Sequence, residues 1–359
     1  MPDLFEPTTF GALRPANRLV MAPMSRNRAN ADGTPTELMA TYYAQRADAG
    51  LIITEGTQPT QVGQGFMNTP GLHNQAQAAA WREVTDAVHA RGGLIAVQLM
   101  HAGRIGHPSL YPSAHQSVAP SSIPAAGSCF TPDGLMDYPE PRALTPEEIN
   151  EEVNDFVRAA RLAMDAGFDA VEIHGGNGFL LHQFLSANTN HRDDEHGGDP
   201  KRRAKLTEQV VHAVADAIGP DRVGLRISPG NPYNDIDEGD VQQTYAALLE
   251  ALPPIAFLHV LETVDPAYTR MVRSLWAGPM IVNPSRQVPA GQWDPEVAEL
   301  LDTGLAQAVC VGSAFLANPD LIERIHSGGP YNEPDEATFY SGGAQGYTDY
   351  PTLPRAMAT

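Results

Sequence analysis

The chain of 359 residues is 42% hydrophobic and 18% charged, the balance of a globular protein that buries a large core. Acidic residues outnumber Lys and Arg by 43 to 23, and the net charge of −20 disfavours nucleic acid and anionic membranes as partners. The two cysteines, Cys129 and Cys310, are too few for a disulfide framework, and no run of ~18 apolar residues occurs, so we expect a cytoplasmic protein without a membrane span.

Short runs rich in Val, Ile and Leu alternate with amphipathic stretches along the chain, a pattern typical of parallel strands joined by crossover helices. Eight runs fit this description: Asn17–Pro23, Gly50–Gly56, Gly93–Gln98, Phe168–His174, Arg222–Ser228, Ala256–Leu261, Pro279–Asn283 and Gln307–Gly312. Eight strands predict a closed (β/α)8 TIM barrel, because an open doubly wound sheet usually has fewer. We expect residues 1–359 to form a single domain.

Helix signals lie between these runs. Thr145 is a capping residue, followed by a proline and two acidic residues in the first turn, where the helix dipole favours them. Similar signals predict helices at Ala76–Arg91 and Asp199–Ile218, and a further helix is expected at Asn318–Ile325. The segment 101–144 is rich in Pro, Ser, Gly and His and too long for an ordinary connection, so we interpret it as an inserted active-site cap with a small hairpin.

In such barrels active sites form at the carboxyl ends of the strands. Gln98 and Arg226 stand near the ends of the third and fifth runs, where they could bind a flat heterocycle with carbonyl and ring-nitrogen acceptors. An internal polar layer with Glu55 or Glu172 fits the same spacing. The turn at Gly312 and Ser313 follows the last run, where barrels bind phosphate, although a tight turn alone would also use the glycine.

His174 and Asn177 lie at the turn after the fourth run. Their side chains are two donors that could converge on one substrate oxygen and stabilise developing enolate charge, although such a pair is often structural. No acid or nucleophile beside them indicates acyl transfer, and the pair does not have the ligands of a zinc site, so we expect no metal.

The strand ends, in this order, resemble the Old Yellow Enzyme family of FMN oxidoreductases over nearly the whole chain. The longest matching block runs from His174 to Gly198 and reads HGGNGFLLHQFLSANTNHRDDEHGG, close to that family's HGANGYLL…QFL…NxRxDxYGG pattern. Residues 315–321 (FLANPDL) and 346–351 (GYTDYP) resemble its two carboxyl-terminal signatures.

The resemblance implies an FMN-dependent enzyme in which NAD(P)H gives hydride to flavin N5 and leaves. The flavin then passes hydride to the β-carbon of an activated alkene, an enone, enal or nitroalkene whose oxygen binds His174 and Asn177. The partner is thus a small molecule, and the chain is expected to be a monomer or homodimer. The implied FMN contacts are Pro23, Met24 and Ser25 along the flavin, Gly56 and Gln98 at its pyrimidine edge, Arg226 near N1, and Asn283, Gly312 and Ser313 near the ribityl phosphate.

Three positions of the implied site depart from the family pattern. Phe179 replaces the usual tyrosine proton donor, so the proton is expected from water or another residue, with Tyr347 as the candidate if its hydroxyl reaches the pocket. Ser313 stands where an arginine often contacts phosphate, and Met100 replaces a tryptophan, which together with Phe66 and Phe179 implies a wider substrate pocket.

The phenylalanine at position 179 leaves two other functions open. Because Phe179 has no proton to give, the native reaction could be one without α-carbon protonation, such as isomerisation, nitrate-ester denitration or desaturation. A flavin-binding protein without turnover is disfavoured by the intact His174, Asn177 and Arg226.

Two further classes of barrel enzyme fail on the residues available. Iron–sulfur relatives need four cysteines for a four-iron cluster, and the chain has two. A glycosidase needs two facing carboxylates. Glu55 and Glu172 are better interpreted as barrel-interior charges paired with arginine.

Overall fold

Parallel pairing of apolar segments closes a barrel. The computed structural model describes residues 3–111, 113–263, 265–285 and 293–354. The strands are β1 (Leu19–Met21), β2 (Leu51–Thr57), β3 (Ile95–Leu99), β4 (Val118–Ala119), β5 (Ser128–Thr131), β6 (Gly134–Asp137), β7 (Arg142–Ala143), β8 (Ala170–His174), β9 (Val223–Ile227), β10 (Phe257–Leu261), β11 (Met280–Asn283) and β12 (Ala308–Val311). Strands β1 to β3 and β8 to β12 form the closed barrel, in the order β1-β12-β11-β10-β9-β8-β3-β2. The predicted (β/α)8 barrel is therefore confirmed, and each predicted run overlaps one barrel strand, with β2 and β3 each ending one residue beyond its run.

Alternate side chains of the barrel strands fill its interior, because successive residues of a strand point to opposite faces. The lower interior is a buried apolar cluster, in which small residues such as Ala96, Ala170 and Ala308 lie among larger Leu, Ile and Phe side chains. Phe257 fills the centre, and a Cβ atom at Gly224 would lie 2.2 Å from its ring. Glycine at position 224 therefore makes room for the phenyl ring, and the interior is packed beneath the strand ends.

Helices cover the outside of the barrel. They are α1 (Glu37–Gln45), α2 (Gln75–His89), α3 (Pro146–Asp165), α4 (Leu180–Leu185), α5 (Pro200–Ile218), α6 (Val241–Ala251), α7 (Pro266–Leu275), α8 (Glu299–Asp302), α9 (Ser313–Ala317) and α10 (Leu321–Ser327). Thr145 caps α3 in a reciprocal pair with Glu148, and the Asp199 side chain accepts the Arg202 backbone N–H at the start of α5. No helix in the described ranges is long and apolar enough to cross a membrane.

The predicted helix Asn318–Ile325 is wrong in its bounds. The chain forms α9 before it and begins α10 only at Leu321. Asn318 is extended, with φ −122° and ψ 93°, because the residue before a proline is disfavoured in the helical region. Its side chain donates to the Ala314 carbonyl at 2.9 Å and so stabilises the break.

The segment 101–144 contains the expected hairpin, formed by antiparallel β5 and β6. It also contains two 3-10 turns, Gly103–Ile105 and Pro108–Leu110, and β4, near the middle of the segment, pairs in parallel with β7, near its end. The Arg104 guanidinium reaches the carbonyl of Asp235 at 2.6 Å, which ties this segment to the turn after β9. Its role as an active-site cap stays a prediction.

Candidate active site

A layer of polar side chains lies above the apolar floor of the barrel. Two residues after Ala96 and Ala170 come Gln98 and Glu172, which are neighbours in the register of β3 and β8. Arg226 pairs in register with His174 of β8 and with His259 of β10. The period of two along each strand therefore turns these polar residues inward at one end of the barrel.

Glu172 organises this layer. Its Oε1 atom accepts a hydrogen bond from Gln98 Nε2 at 2.7 Å, and Oε2 lies 2.7 Å from His259 Nδ1. All three side chains are buried. The alternative of an internal polar layer is thus present for Gln98, while Gln98 Oε1 has no hydrogen-bond partner among the described residues and remains for a ligand donor.

The prediction that Glu55 and Glu172 pair with arginine is wrong. Glu172 binds Gln98 and His259 instead, as described above. Glu55 accepts the backbone N–H of Arg26 at 3.0 Å and the Tyr43 hydroxyl at 3.3 Å. Burial raises the pKa of Glu55, and protein donors bind both of its carboxyl oxygens, so this group belongs to the protein interior.

Arg226 presents unpaired donors inside the barrel. Its Nη2 atom donates to Asn283 Oδ1 at 3.0 Å, and Asn283 is held in turn by its bond to the Cys310 carbonyl. The Nε and Nη1 atoms are buried and have no hydrogen-bond partner among the described residues. Since buried donors are costly to leave unsatisfied, this pair fits a ligand with adjacent acceptors, as at the pyrimidine edge of a flavin.

His174 is a neutral donor at the end of β8. The backbone N–H of Gly176 donates to His174 Nδ1 at 3.3 Å, which leaves the ring proton on Nε2. Burial, and after it the positive charge of Arg226, lower the pKa of His174 well below its usual value. The imidazole therefore donates a hydrogen bond from Nε2 without carrying charge.

Asn177 stands beside it in a left-handed backbone conformation, with φ +56°. Its Oδ1 atom accepts from Asn231 Nδ2 at 2.9 Å. The Nδ2 atom of the half-buried Asn177 has no hydrogen-bond partner in the part of the chain that the structure describes. His174 and Asn177 thus each keep one donor for a ligand.

An apolar wall faces these donors. Phe179 lies edge-on to His174, with ring centroids 5.1 Å apart, and its ring meets Phe66 edge-on at 6.3 Å. Met100 belongs to the same buried cluster as Phe179, and a Cβ atom at Gly56 would lie 2.6 Å from the Met100 sulfur. The structure thus brings together Phe66, Met100 and Phe179, the three predicted substrate residues.

The predicted flavin-side residues lie on the first and last strand ends. Pro23, Met24 and Ser25 are half-buried between fully buried neighbours. A Cβ atom at Gly312 would lie 3.1 Å from the Met24 sulfur, which places the two strand ends in contact. Ser313 begins α9 directly after that glycine.

The assignment of Tyr347 as proton donor is wrong for the structure as it stands. Its ring is fully buried and stacks on Tyr42 with centroids 4.1 Å apart. Arg26 and Arg28 lie over the same ring, and the hydroxyl is enclosed without a hydrogen-bond partner among the described residues. A group enclosed in this way can contact a substrate only after a large movement.

Residues that the sequence did not indicate complete the site. Tyr138, in the inserted segment, packs against the cluster of Met100 and Phe179. Burial raises the pKa of Tyr138 to about 12. Ser228 and Asn231 hold Asn177 from the turn after β9. The Asn, Pro and Gly content of that turn was the one available signal, and it marks any loop.

The fold and site define a class of (β/α)8 oxidoreductase with a cradle for a planar cofactor. A sequence model of the NADH:flavin oxidoreductase / NADH oxidase family matches residues 3–332. The probable flavin mononucleotide-dependent alkene reductase of Leishmania infantum is 40% identical, over 98% of this chain and 97% of that protein. The 12-oxophytodienoate reductase 7 of rice, Oryza sativa subsp. japonica, is 37% identical over 98% and 94%.

Solved structures agree with these matches. Morphinone reductase in complex with tetrahydroNAD superposes with a TM-score of 0.92 at 39% identity, covering 100% of both chains. The old yellow enzyme homologue from Zymomonas mobilis gives 0.92 at 39% identity, covering 98% of this chain and 100% of that one. The chain belongs to the NADH:flavin oxidoreductase family, that of Old Yellow Enzyme, and is an FMN-dependent oxidoreductase of the alkene reductase type.

Proposed function

We propose that this protein reduces the carbon–carbon double bond of small activated alkenes, enones, enals or nitroalkenes, with NAD(P)H as the hydride donor. The alkene gains a hydride at its β-carbon and a proton at its α-carbon, while NAD(P)H is oxidised to NAD(P)+. The observation that carries the proposal is the pair of uncommitted donors, His174 Nε2 and Asn177 Nδ2, on the strand next to Arg226.

The two donors account for recognition and activation of the alkene. A carbonyl or nitro oxygen accepts hydrogen bonds from both, and its negative charge increases as hydride reaches the β-carbon. Donors held in place by the protein stabilise that charge without reorganisation, and removal of one such donor typically costs ~10²–10³ in rate. His174 stays neutral, because burial and Arg226 hold its pKa low, so its single N–H donates without a positive charge on the ring.

FMN fits the remaining polar groups. The buried Arg226 Nε and Nη1 atoms supply donors for its acceptors, and Gln98 Oε1 supplies an acceptor for its N–H. We assign Pro23, Met24, Ser25 and Gly56 to its ring system, and Asn283, Gly312 and Ser313 to its ribityl phosphate. When bound, FMN supplies the hydride carrier between nicotinamide and alkene.

The α-carbon proton needs a source other than residue 179. Phe179 lies edge-on to His174 but has no ionisable hydrogen. Tyr138, half-buried against the same apolar cluster as Phe179, is the candidate tyrosine, and solvent is the other source. A second candidate function follows from this observation: a native reaction without α-carbon protonation, namely isomerisation, nitrate-ester denitration or desaturation.

The test is anaerobic product analysis of the purified protein with NADPH or NADH and 2-cyclohexenone. We expect cyclohexanone in an amount equal to the nicotinamide oxidised. His174→Ala and Asn177→Ala should each lower kcat/KM by ~10²–10³, whereas Asn150→Ala, on the exposed face of α3, should not. Nitrite release from a nitrate ester, without formation of cyclohexanone from the enone, would favour the second candidate.

A further inference from the structure

The turn after β9 holds Asn177 at three points. The Asn177 backbone N–H donates to Ser228 Oγ at 2.8 Å, and the Asn234 side chain donates to the Asn177 carbonyl at 2.7 Å. The third contact joins the two side-chain amides, Asn231 Nδ2 and Asn177 Oδ1, at 2.9 Å. The first two contacts fix the backbone, whereas the third acts on the group that meets substrate.

A backbone hydrogen bond determines which way round these amides lie. The Tyr233 N–H donates to Asn231 Oδ1 at 3.1 Å. A backbone N–H can only donate, so Asn231 must turn its oxygen toward Tyr233 and its NH2 group toward Asn177. Asn177 then must offer Oδ1 to Asn231, which leaves its own NH2 group for a ligand.

The contact with Tyr233 alone would be an ordinary local turn, in which an asparagine oxygen binds the backbone two residues on. Such a turn needs nothing from the Asn231 NH2 group. That group instead crosses to Asn177, on a different strand end and far away in sequence. The chain of donors thus runs from the Tyr233 backbone through Asn231 to the substrate-facing amide.

We infer that Asn231 is a positioning residue that sets the polarity of the Asn177 amide, so that the site accepts substrates whose oxygen is a hydrogen-bond acceptor and disfavours those that present a donor. This inference rests on the proposed function. It accounts for the choice, in the proposed function, of a carbonyl or nitro group, whose oxygen only accepts hydrogen bonds, as the group that meets His174 and Asn177.

Two substitutions at this position separate the polarity of Asn177 from packing. Asn231→Asp has nearly the same shape and still accepts the Tyr233 N–H, but the carboxylate has no hydrogen for Asn177. The Asn177 amide then rotates to donate to the carboxylate and turns its oxygen toward the substrate oxygen. Asn231→Ala removes the partner and leaves the Asn177 amide able to adopt either orientation. Asn231→Asp, although nearly isosteric, is therefore expected to weaken enone binding more than Asn231→Ala does.

The measurement uses the FMN-loaded protein and 2-cyclohexenone. The dissociation constant of the enone from the oxidised protein is read from the flavin absorbance. The rate of reoxidation by the enone is measured after reduction with dithionite, so that no nicotinamide is needed in the assay. We expect Asn231→Ala to weaken binding roughly three- to tenfold, the equivalent of one hydrogen bond, and Asn231→Asp to weaken it at least about tenfold more.

The Asn177→Ala background is the main control, because the inferred effect passes through that amide. There, both changes at Asn231 are expected to alter enone binding by less than about twofold. Asn150→Asp, exposed on α3, controls for the added charge and is expected to bind the enone as the wild type does.

Each result has a distinct meaning. The inference is overturned if the wild type and Asn231→Asp bind the enone equally. It is also overturned if the changes at Asn231 weaken enone binding as much in the Asn177→Ala background as in the wild type. Either result leaves the proposed function standing. The predicted order of binding together with no reoxidation by the enone supports the inference and overturns the proposed reduction. A wild-type protein that does not bind the enone overturns both.

Discussion

Replacement of Arg226 tests how the barrel holds its cofactor. The guanidinium is buried, and one of its three nitrogens binds Asn283, while the other two have no partner among the described residues. Arg226→Met removes both unpaired donors together with the charge. Arg226→Lys keeps a positive charge near Glu172 but loses the planar fork.

The expected magnitude follows from the number of donors. A hydrogen bond from a charged group contributes about 1.5–3 kcal/mol, so two of them contribute about 3–6 kcal/mol to FMN binding. At about 1.4 kcal/mol for each factor of ten, Arg226→Met should raise the FMN dissociation constant ~10²- to 10⁴-fold. Arg226→Lys, with one point donor, should raise it roughly 10- to 100-fold.

The assay is fluorescence titration of apoprotein with FMN, because flavin fluorescence changes on binding, with the thermal unfolding of each apoprotein as a check on folding. Arg222→Met is the matched control, since Arg222 is exposed just before the other end of the same strand, β9. FMN affinity in Arg226→Met that equals the affinity of Arg222→Met, with both proteins folded, would refute the role assigned to Arg226.

Three further predictions address the proton, the pH dependence of stability and the backbone at the site. Phe179→Tyr should speed reoxidation by 2-cyclohexenone by ~10²-fold, the low end of the ~10²–10⁴ that a positioned general acid contributes. An unchanged rate in stopped-flow would show that protonation does not limit the reaction. Burial raises the pKa of Glu152 to about 8, so the folded protein keeps a proton that the unfolded chain loses near 4.5, and stability should fall as the pH rises between these values. Melting curves should therefore show the stability of Glu152→Gln relative to wild type increasing from about pH 5 to about pH 8, and a constant difference would contradict this. In Gly178→Ala the new Cβ would lie 2.5 Å from the Asn234 side chain, at a backbone φ of +75°. We expect it to lower the melting temperature more than Gly92→Ala, because Gly92 has a similar φ of +77° but open space around its Cβ position. Equal losses of melting temperature would count against the clash.

The sequence predicted the barrel because its strands are short apolar runs in regular alternation with helices. The same strand ends brought His174, Asn177 and Arg226 to one end of the barrel, since parallel strands all place their carboxyl ends there. Phe66 and Met100 were also placed correctly beside Phe179, as the packing of their side chains shows.

Other features depend on contacts that a linear pattern does not contain. Tyr347 lies in a signature segment, yet its ring is locked against Tyr42 by packing across the fold. Asn231 contacts Asn177 only because two turns converge. Glu172 forms hydrogen bonds with Gln98 and His259 and not with an arginine. Tertiary packing and the need to satisfy buried polar groups determine these contacts.

The most direct test of the central claim is anaerobic stopped-flow of the FMN-loaded protein, followed by flavin absorbance near ~450 nm during reduction by NADPH and then during mixing with 2-cyclohexenone. We predict loss of absorbance with NADPH and its recovery with the enone, with recovery slowed in His174→Ala. Loss of absorbance without recovery, or a purified protein that binds no FMN, would contradict it.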